Sequence, residues 1–272
     1  MNEPLTVSPE RREYLYSLGR QSRIITFSRI MILLIFFSAW EICSRLGIID
    51  PFIFSQPTKM ITAFFELLYD GTLIKHIGIT LAETIIGFTA GTIIGTGSAI
   101  LLWWNTDIAK IADPYLVVLN SLPKTALAPI IIVWIGNNIN SIIATALMTN
   151  VIVTTLSVLS GFTETDSEKI KLIETLGGNK KQVLSFVVLP SSIPVIVNSL
   201  KINVGLSFVG VIVGEFLVAQ SGLGYLIVYS SQIFKMDHVM LSVILLVLMS
   251  AVLYKFVVIF ESYINKKWGF KS

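Results

Sequence analysis

The stretch that decides how this chain is organised is LGGNKKQVLSFVVLPSSIP, residues 176–194. It combines a pair of glycines, two lysines, an amphipathic run and a Leu-Pro step, and it lies between stretches that are almost wholly apolar. The chain of 272 residues is 54% hydrophobic and 14% charged, whereas ordinary soluble domains are roughly 25% charged. The sequence therefore predicts a membrane protein that holds one polar hairpin outside the bilayer.

Apolar runs of the length that crosses a bilayer, about 20 residues, occur six times. They cover approximately residues 25–45, 78–104, 112–136, 140–162, 191–218 and 238–260. No small-residue cleavage site follows the first run, so we expect a retained helix rather than a removed signal peptide. The predicted fold class is an all-α polytopic membrane protein with six transmembrane helices.

The basic residues predict the orientation of these spans. With both termini inside, twelve lysines and arginines lie in cytoplasmic segments and four (Arg45, Lys59, Lys75 and Lys235) lie on the opposite face. Cytoplasmic segments of membrane proteins carry the excess of Lys and Arg, so we expect the termini and the hairpin to be cytoplasmic. The basic clusters flank apolar spans without interleaved aromatic residues, and we expect no nucleic acid as a partner.

Glycines recur in two spans, and in the second span they recur at every fourth residue. The second span holds Gly87, Gly91 and Gly95, and the fifth holds Gly205, Gly210 and Gly214. Such spacing lets helix backbones approach closely in lipid, which predicts that both spans are interior helices. The alternative is incidental glycine, since membrane helices are generally enriched in it.

The third span carries two prolines and a lysine, which together suggest a wall of the translocation pathway. Pro123 and Pro129 predict a kink or break, which is tolerated at membrane depth only beside protein or water. At 1.5 Å per helical residue, Lys124 and Lys201 fall near the centre of the bilayer. Facing a cavity, they would favour an anionic cargo. Alternatively, breaks at Pro123 and Pro194 move both lysines toward an interface, where their stems snorkel.

The hairpin itself is predicted to contain two short helices. Thr165 and Glu168 have capping-box spacing, so a first helix should start at Asp166 and end at the two glycines. Its apolar ridge, formed by Ile170, Ile173 and Leu176, should face a partner's groove. A second helix should run from Asn179 to a proline-defined joint at Leu189 and Pro190.

The hairpin resembles a known docking loop. Its motif is Gly177, nine further residues, Val187, one residue and then Leu189-Pro190. This spacing is similar to that of the cytoplasmic glutamate-alanine-alanine loop of binding-protein-dependent ABC importer permeases. In place of the name-giving triplet this chain has Lys171, Leu172 and Ile173. The segments QPTKM, GFTAGTIIGTGSAILL, LPKTALAPIIIVWIGN, VGEFLVAQSGLGYLI and LPSSIP follow the order of the nitrate, aliphatic sulfonate, taurine and bicarbonate branch, over roughly residues 50–265.

The resemblance implies a type I ABC importer-like permease subunit in the bacterial plasma membrane. Its partners would be a cytoplasmic ATP-binding subunit, an extracytoplasmic solute-binding protein and a second copy of this chain, or else a different second permease. No G-x-x-x-x-G-K-[ST] loop occurs, so the chain should bind no cofactor, and ATP and Mg²⁺ should belong to the partner ATPase. The implied ATPase-coupling loop contains Ile170, Lys171, Leu172, Ile173, Glu174, Gly177, Gly178, Val187, Leu189 and Pro190.

The implied cargo is a small anion, with an aliphatic sulfonate or a related organosulfur compound first and nitrate, bicarbonate or a vitamin precursor as alternatives. The predicted domains are a cytoplasmic arm (1–24), a first helix with an extracellular connection (25–72), a permease core (73–262) and a cytoplasmic tail (263–272). The pathway residues would be Pro123, Lys124, Pro129, Lys201 and Glu215.

Two other functional classes compete with this interpretation. An ion-coupled carrier would use Glu41, Glu83 and Glu215 as ion sites, although each lies nearer a span end than its centre, which favours a packing role. An intramembrane enzyme would need a Ser-His dyad or a cluster of metal ligands, and the sequence shows neither. Cys43 is the only cysteine, so disulfides within one chain are excluded.

Overall fold

The structure is a computed structural model, and it describes residues 9–268. The outer parts of the predicted arm and tail lie outside these residues. The chain divides into two compact units, Met1–Ala63 and Phe64–Ser272, so the boundary falls nine residues before the expected start of the permease core at residue 73. All the regular elements of the described residues are helices, and we number the α-helices in chain order.

The first unit is built around one long helix, α1 (Pro9–Arg45), which contains the apolar span Arg23–Arg45. A short helix, α2 (Pro51–Phe54), follows it and is capped by Asp50. The Glu41 carboxylate accepts hydrogen bonds from Arg45 Nε (2.6 Å), Thr58 N (3.1 Å) and Thr58 Oγ1 (3.0 Å). Glu41 therefore joins the end of α1 to the first turn of α3 (Pro57–Tyr69), where a carboxylate is favoured by the helix dipole.

The second unit contains the remaining helices. The apolar spans are α4 (Thr72–Trp104), α7 (Ile139–Thr163), a 39-residue helical run Lys180–Val218 that includes α10 (Leu189–Val218), and α12 (Met236–Trp268). Between them lie α5 (Thr106–Ser121), α6 (Lys124–Ile135), α8 (Ser167–Thr175), α9 (Lys180–Val183) and α11 (Leu223–Gln232). Together with α1, five helical runs of the described chain are long and apolar enough to cross a membrane. The bent pair of α5 and α6 would make a sixth span if the two helices count as one.

The predicted third span is a bent pair of helices. α5 and α6 meet at 97° across Leu122 and Pro123. The predicted break at Pro123 is confirmed, because proline cannot donate the next helical hydrogen bond and disfavours helical geometry in the residue before it. Pro129 lies inside α6 without ending it, so of the two prolines only Pro123 lies at the break.

The centre of the second unit is α7, which packs between α4 and α10. The contact with α4 depends on small residues: a Cβ added to Gly87, Gly91 or Gly95 would lie 2.5–2.7 Å from the Cβ of Ala146, Asn150 or Thr154. On its other side, α7 meets Gly210 and Gly214 of α10 with similar closeness. A Cβ on Gly205 would meet nothing within 4 Å, so the inclusion of Gly205 in the close contact is wrong.

Buried polar side chains connect these three helices, and they were not predicted from the sequence. Asn150 donates to Ser207 Oγ at 2.6 Å, and Asn203 donates to Thr154 Oγ1 at 2.7 Å. The Thr155 hydroxyl donates to the Gly95 carbonyl of α4 at 3.2 Å. Interhelical hydrogen bonds of this kind stabilise membrane bundles by roughly 0.6 kcal/mol each.

We expect Gly91→Leu to destabilise the second unit by about 1–3 kcal/mol, because a larger side chain would force α4 away from Asn150 of α7. Gly97→Leu is the matched control, since a Cβ at Gly97 of the same helix meets nothing within 4 Å. Thermal unfolding of the purified proteins in detergent checks this. Equal melting temperatures for the two variants would contradict the close contact.

Candidate functional site

The first helix of the hairpin, α8, begins at Ser167. Its capping residue is Asp166, whose side chain accepts a hydrogen bond from Glu168 N at 2.9 Å. Thr165 does not cap it, because its hydroxyl donates back to the carbonyl of Gly161 at 3.3 Å. The predicted Thr165–Glu168 capping box is therefore wrong, although the helix starts within one residue of its expected position.

The turn after α8 has the geometry of a glycine-ended helix. Gly177 has φ +83°, Gly177 N donates to the Glu174 carbonyl at 2.9 Å, and Gly178 N donates to the Ile173 carbonyl at 2.9 Å. These bonds satisfy carbonyls that a helix end leaves open. Asn179 then begins α9 in a capping box with Gln182. The chain reverses tightly within 176–179.

No break separates the hairpin from α10. α9 passes through a π-helical turn, Leu184–Val188, directly into α10, and the whole run Lys180–Val218 is helical. The expected joint at Leu189 and Pro190 is therefore wrong. A π-turn widens the hydrogen-bonding ring to i→i−5, as in Leu189 N→Leu184 O. Pro190, which has no N–H to donate, directly follows this turn without interrupting the helix.

The apolar face of the hairpin is divided between an inner and an outer side. Ile170 and Ile173 pack against a buried cluster of Ala99, Val158, Phe162, Val183, Leu184 and Val188, and Val187 is buried as well. The exposed apolar side chains are Leu172 (60% exposed), Leu176 (76%) and Phe186 (67%). The predicted ridge of Ile170, Ile173 and Leu176 is thus wrong for its first two members. We call Leu172, Leu176 and Phe186 the outer patch; Lys171 and Glu174 are also exposed.

Lys180 ties the hairpin to the end of α4. Its Nζ donates to the carbonyl of Trp104, the last residue of α4, at 2.6 Å, and it lies 5.4 Å from the centre of the Trp103 ring. A lysine at this position satisfies an open helix-end carbonyl and complements the helix dipole. The hairpin is consequently attached to α4 as well as to α10.

The two lysines that were predicted to lie near the bilayer centre both contact polar side chains of the same chain. Lys124 is the first residue of α6, and its Nζ donates to the carbonyl (3.3 Å) and side-chain oxygen (3.2 Å) of Asn120. Lys201 forms an ion pair with Glu261 of α12 at 2.7 Å. Glu261, which was not predicted as a partner, therefore neutralises Lys201, and the assignment of Lys201 to the pathway stays a prediction.

Glu215 is a buried packing residue near the opposite end of α10. It is 1% exposed and accepts hydrogen bonds from Thr80 Oγ1 (2.6 Å) and Gly224 N (2.5 Å). Glu83 of α4 lies against it and is 2% exposed. Glu83 also lines a cavity of about 280 Å³ with Ile79, Asn137, Asn138, Ile139, Ile142, Val218, Ala219, Gln220 and Ser221, which we call the outer cavity.

The structure thus combines an exposed hairpin with a bundle of apolar helices into which it continues. The sequence profile of the binding-protein-dependent transport system inner membrane component matches residues 87–269. The chain belongs to this family. It is a permease of the multi-pass, inner-membrane type.

Individual relatives carry different cargo names. The formylaminopyrimidine transport permease protein of Halalkalibacterium halodurans is 31% identical over 186 residues, which is 68% of this chain and 74% of the relative. The putative aliphatic sulfonates transport permease protein of Bacillus subtilis is 25% identical and covers 82% of this chain and 80% of the relative.

The fold of the permease matches solved type I importers. An amino acid ABC transporter chain superposes with a TM-score of 0.60 at 17% identity, covering 74% of this chain and 97% of that chain. Permeases of this family work with an ATPase and a solute-binding protein, and the permease is not itself an enzyme, because a separate subunit hydrolyses ATP.

The turn at Gly177 gives a test of the hairpin. We expect Gly177→Val to strain the positive φ by about 1–2 kcal/mol and to reduce transport-coupled ATP hydrolysis while the chain still inserts in the membrane. Gly177→Asn is the matched control, because asparagine tolerates this region and a Cβ here meets nothing within 4 Å. Full coupling in the Val variant would contradict a structural role for this turn.

Proposed function

We propose that the hairpin is the docking element for the ATPase subunit and that the outer patch makes the contact. Leu172, Leu176 and Phe186 are exposed apolar side chains on an otherwise polar element, and a helix docks by placing such residues in a partner's groove. In this proposal the hairpin and both termini are cytoplasmic, the partner subunit holds ATP and Mg²⁺, and two copies of the permease form the pathway.

The mechanism we propose is a rigid lever. The hairpin continues without a break into α10, is attached through Lys180 to α4, and packs through Ile170 and Ile173 against the bundle. When the ATPase subunits close, the displacement of α8 and α9 is carried into α4 and α10 together. The core then changes between inward-facing and outward-facing states by rigid-body movement.

For the cargo, we propose a small uncharged heterocycle of the formylaminopyrimidine type. The observation that carries this proposal is the 31% identity with the formylaminopyrimidine permease. Two features of the charge distribution support it: Lys201 is neutralised by Glu261, and the outer cavity presents Asn137, Asn138 and Gln220 beside a carboxyl group. Amide groups both donate and accept hydrogen bonds, as an aminopyrimidine requires.

An aliphatic sulfonate is the second candidate. It is favoured by the relative named for sulfonates, which matches 82% of this chain, and by Lys124, whose contacts are to the neutral Asn120. A sulfonate permease would use the Lys124 charge, whereas a heterocycle permease would not.

We expect Leu176→Asp to prevent co-purification of the ATPase subunit, because a charge would lie in the apolar contact. Leu176→Met, which keeps an apolar side chain of similar volume, should retain it. Ile173→Asp should instead destabilise the hairpin itself, since Ile173 packs inward. A stoichiometric complex with Leu176→Asp would contradict docking on the outer patch.

The cargo is tested by uptake of labelled formylaminopyrimidine and labelled methanesulfonate into cells that express the permease with its partners, against the deletion strain. We expect permease-dependent uptake of the pyrimidine, unchanged in Lys124→Met. Uptake of the sulfonate alone, reduced in Lys124→Met, would overturn the heterocycle assignment in favour of the second candidate. Lys201→Met should slow the uptake of either cargo only if losing the ion pair with Glu261 weakens the contact of α10 with α12.

A further inference from the structure

Two glutamates meet inside the second unit, at the end of α10 that lies away from the hairpin. Glu83 of α4 and Glu215 of α10 are 2% and 1% exposed. Thr80, which lies one turn before Glu83 on the same side of α4, donates to Glu215 at 2.6 Å, so the two carboxyl groups lie next to each other. Burying two ionised carboxylates side by side costs far more than burying a neutral pair. Their contact therefore requires an explanation.

The hydrogen bonds around Glu215 assign it the negative charge. Its Oε1 accepts from Thr80 Oγ1 of α4 and its Oε2 accepts from the backbone N–H of Gly224. Gly224 lies in the first turn of α11, where the helix dipole also favours an anion. Hydrogen bonds donated to both oxygens favour the ionised form of Glu215.

Nearby groups do not supply a compensating positive charge. His76 Nδ1 accepts a hydrogen bond from Gly222 N at 2.9 Å, and an imidazole that accepts on a ring nitrogen is neutral. Tyr225 of α11 stacks on the His76 ring, and α7 has no titratable residue anywhere along Ile139–Thr163. Lys75, next to His76 on α4, is the nearest cation along the chain.

We propose that Glu83 and Glu215 share one proton, carried by Glu83, and that this pair fixes the start of α11 to α4 and α10. An ionised carboxyl group only accepts hydrogen bonds, so a hydrogen bond between two carboxyls contains a proton by necessity. Glu83 Oε2 is buried and no donor reaches it, so the Glu83 carboxyl, unlike that of Glu215, lacks the hydrogen bonds that would favour its ionised form. The bond formed is Glu83 O–H to Glu215 O⁻, with a net charge of −1.

The pair has a structural consequence for the outer cavity. The Glu215 carboxyl occupies the space where a Cβ of Gly222 or Gly224 would lie, and Gly222 has φ +118°. The N–H groups of Gly222, Leu223 and Gly224 are all bound, by His76, Thr80 and Glu215 respectively. The connection 219–222, part of which lines the outer cavity, therefore leads into a helix start that is held to α4 by His76 and Thr80 and to α10 by Glu215, the ionised member of the pair.

Infrared spectroscopy tests the proposal on the purified complex of permease and ATPase, in a maltoside detergent that has no ester carbonyl. At neutral pH we expect one carboxylic-acid carbonyl band from a buried group, and we expect Glu83→Gln to remove it. A wild-type complex without such a band, or a band that is unchanged in Glu83→Gln, would overturn the proposal. This readout is independent of the cargo and of ATPase docking.

The melting temperatures of the two amide variants give a second test. Glu83→Gln should melt within about a degree of the wild type, because the amide still donates to Glu215. Glu215→Gln should melt several degrees lower, since its amide N–H₂ must face either Gly224 N or the Thr80 hydroxyl, which are donors. The reverse order would place the proton on Glu215 and overturn the assignment; should Glu215→Gln fail to fold, the infrared band still decides.

Discussion

The close approach of α7 to its two neighbours is the constraint on which the rest of the second unit depends. Gly87, Gly91 and Gly95 leave three successive contact positions on α4 without a Cβ, and Gly210 and Gly214 leave two such positions on α10. In lipid, where apolar burial does not drive helices together, this proximity lets dispersion forces and short hydrogen bonds stabilise the bundle. The pairs Asn150–Ser207 and Asn203–Thr154 form because the backbones are near enough.

The same packing explains how a surface hairpin can act on the core. A lever transmits a displacement only if it is stiff and firmly attached, and α10 meets both conditions: it is helical from Lys180 to Val218, and it is attached to α7 by glycine contacts along its length. At one end the hairpin packs on the cluster around Val158 and Phe162. At the other, Glu215 holds the start of α11. In the mechanism that we propose, α4, α7 and α10 therefore move as one body.

Features that depend on a local repeat or on one residue's backbone chemistry could be predicted from the sequence. The four-residue glycine spacing, the break at Pro123 and the positive φ at Gly177 belong to this class. Features that depend on a distant partner could not: Lys201 has its charge cancelled by Glu261, sixty residues away, and Ile173 faces inward because α9 returns beneath α8. The continuous passage through Pro190 was missed because a π-turn has no clear signal in the sequence.

The continuity of the hairpin with α10 is tested most directly by a distance between two spin labels on one chain. With Cys43 replaced by serine, labels at Lys181, on the hairpin side of the π-turn, and at Leu217, both exposed, would be separated by roughly 54 Å at 1.5 Å per residue. The measurement is made on the assembled complex without nucleotide and with ATP trapped in the ATPase. A rigid lever predicts one narrow distance that is the same in both states. A distance that shortens or broadens when ATP binds would mean that the helix bends at the π-turn, and it would contradict transmission by a rigid body.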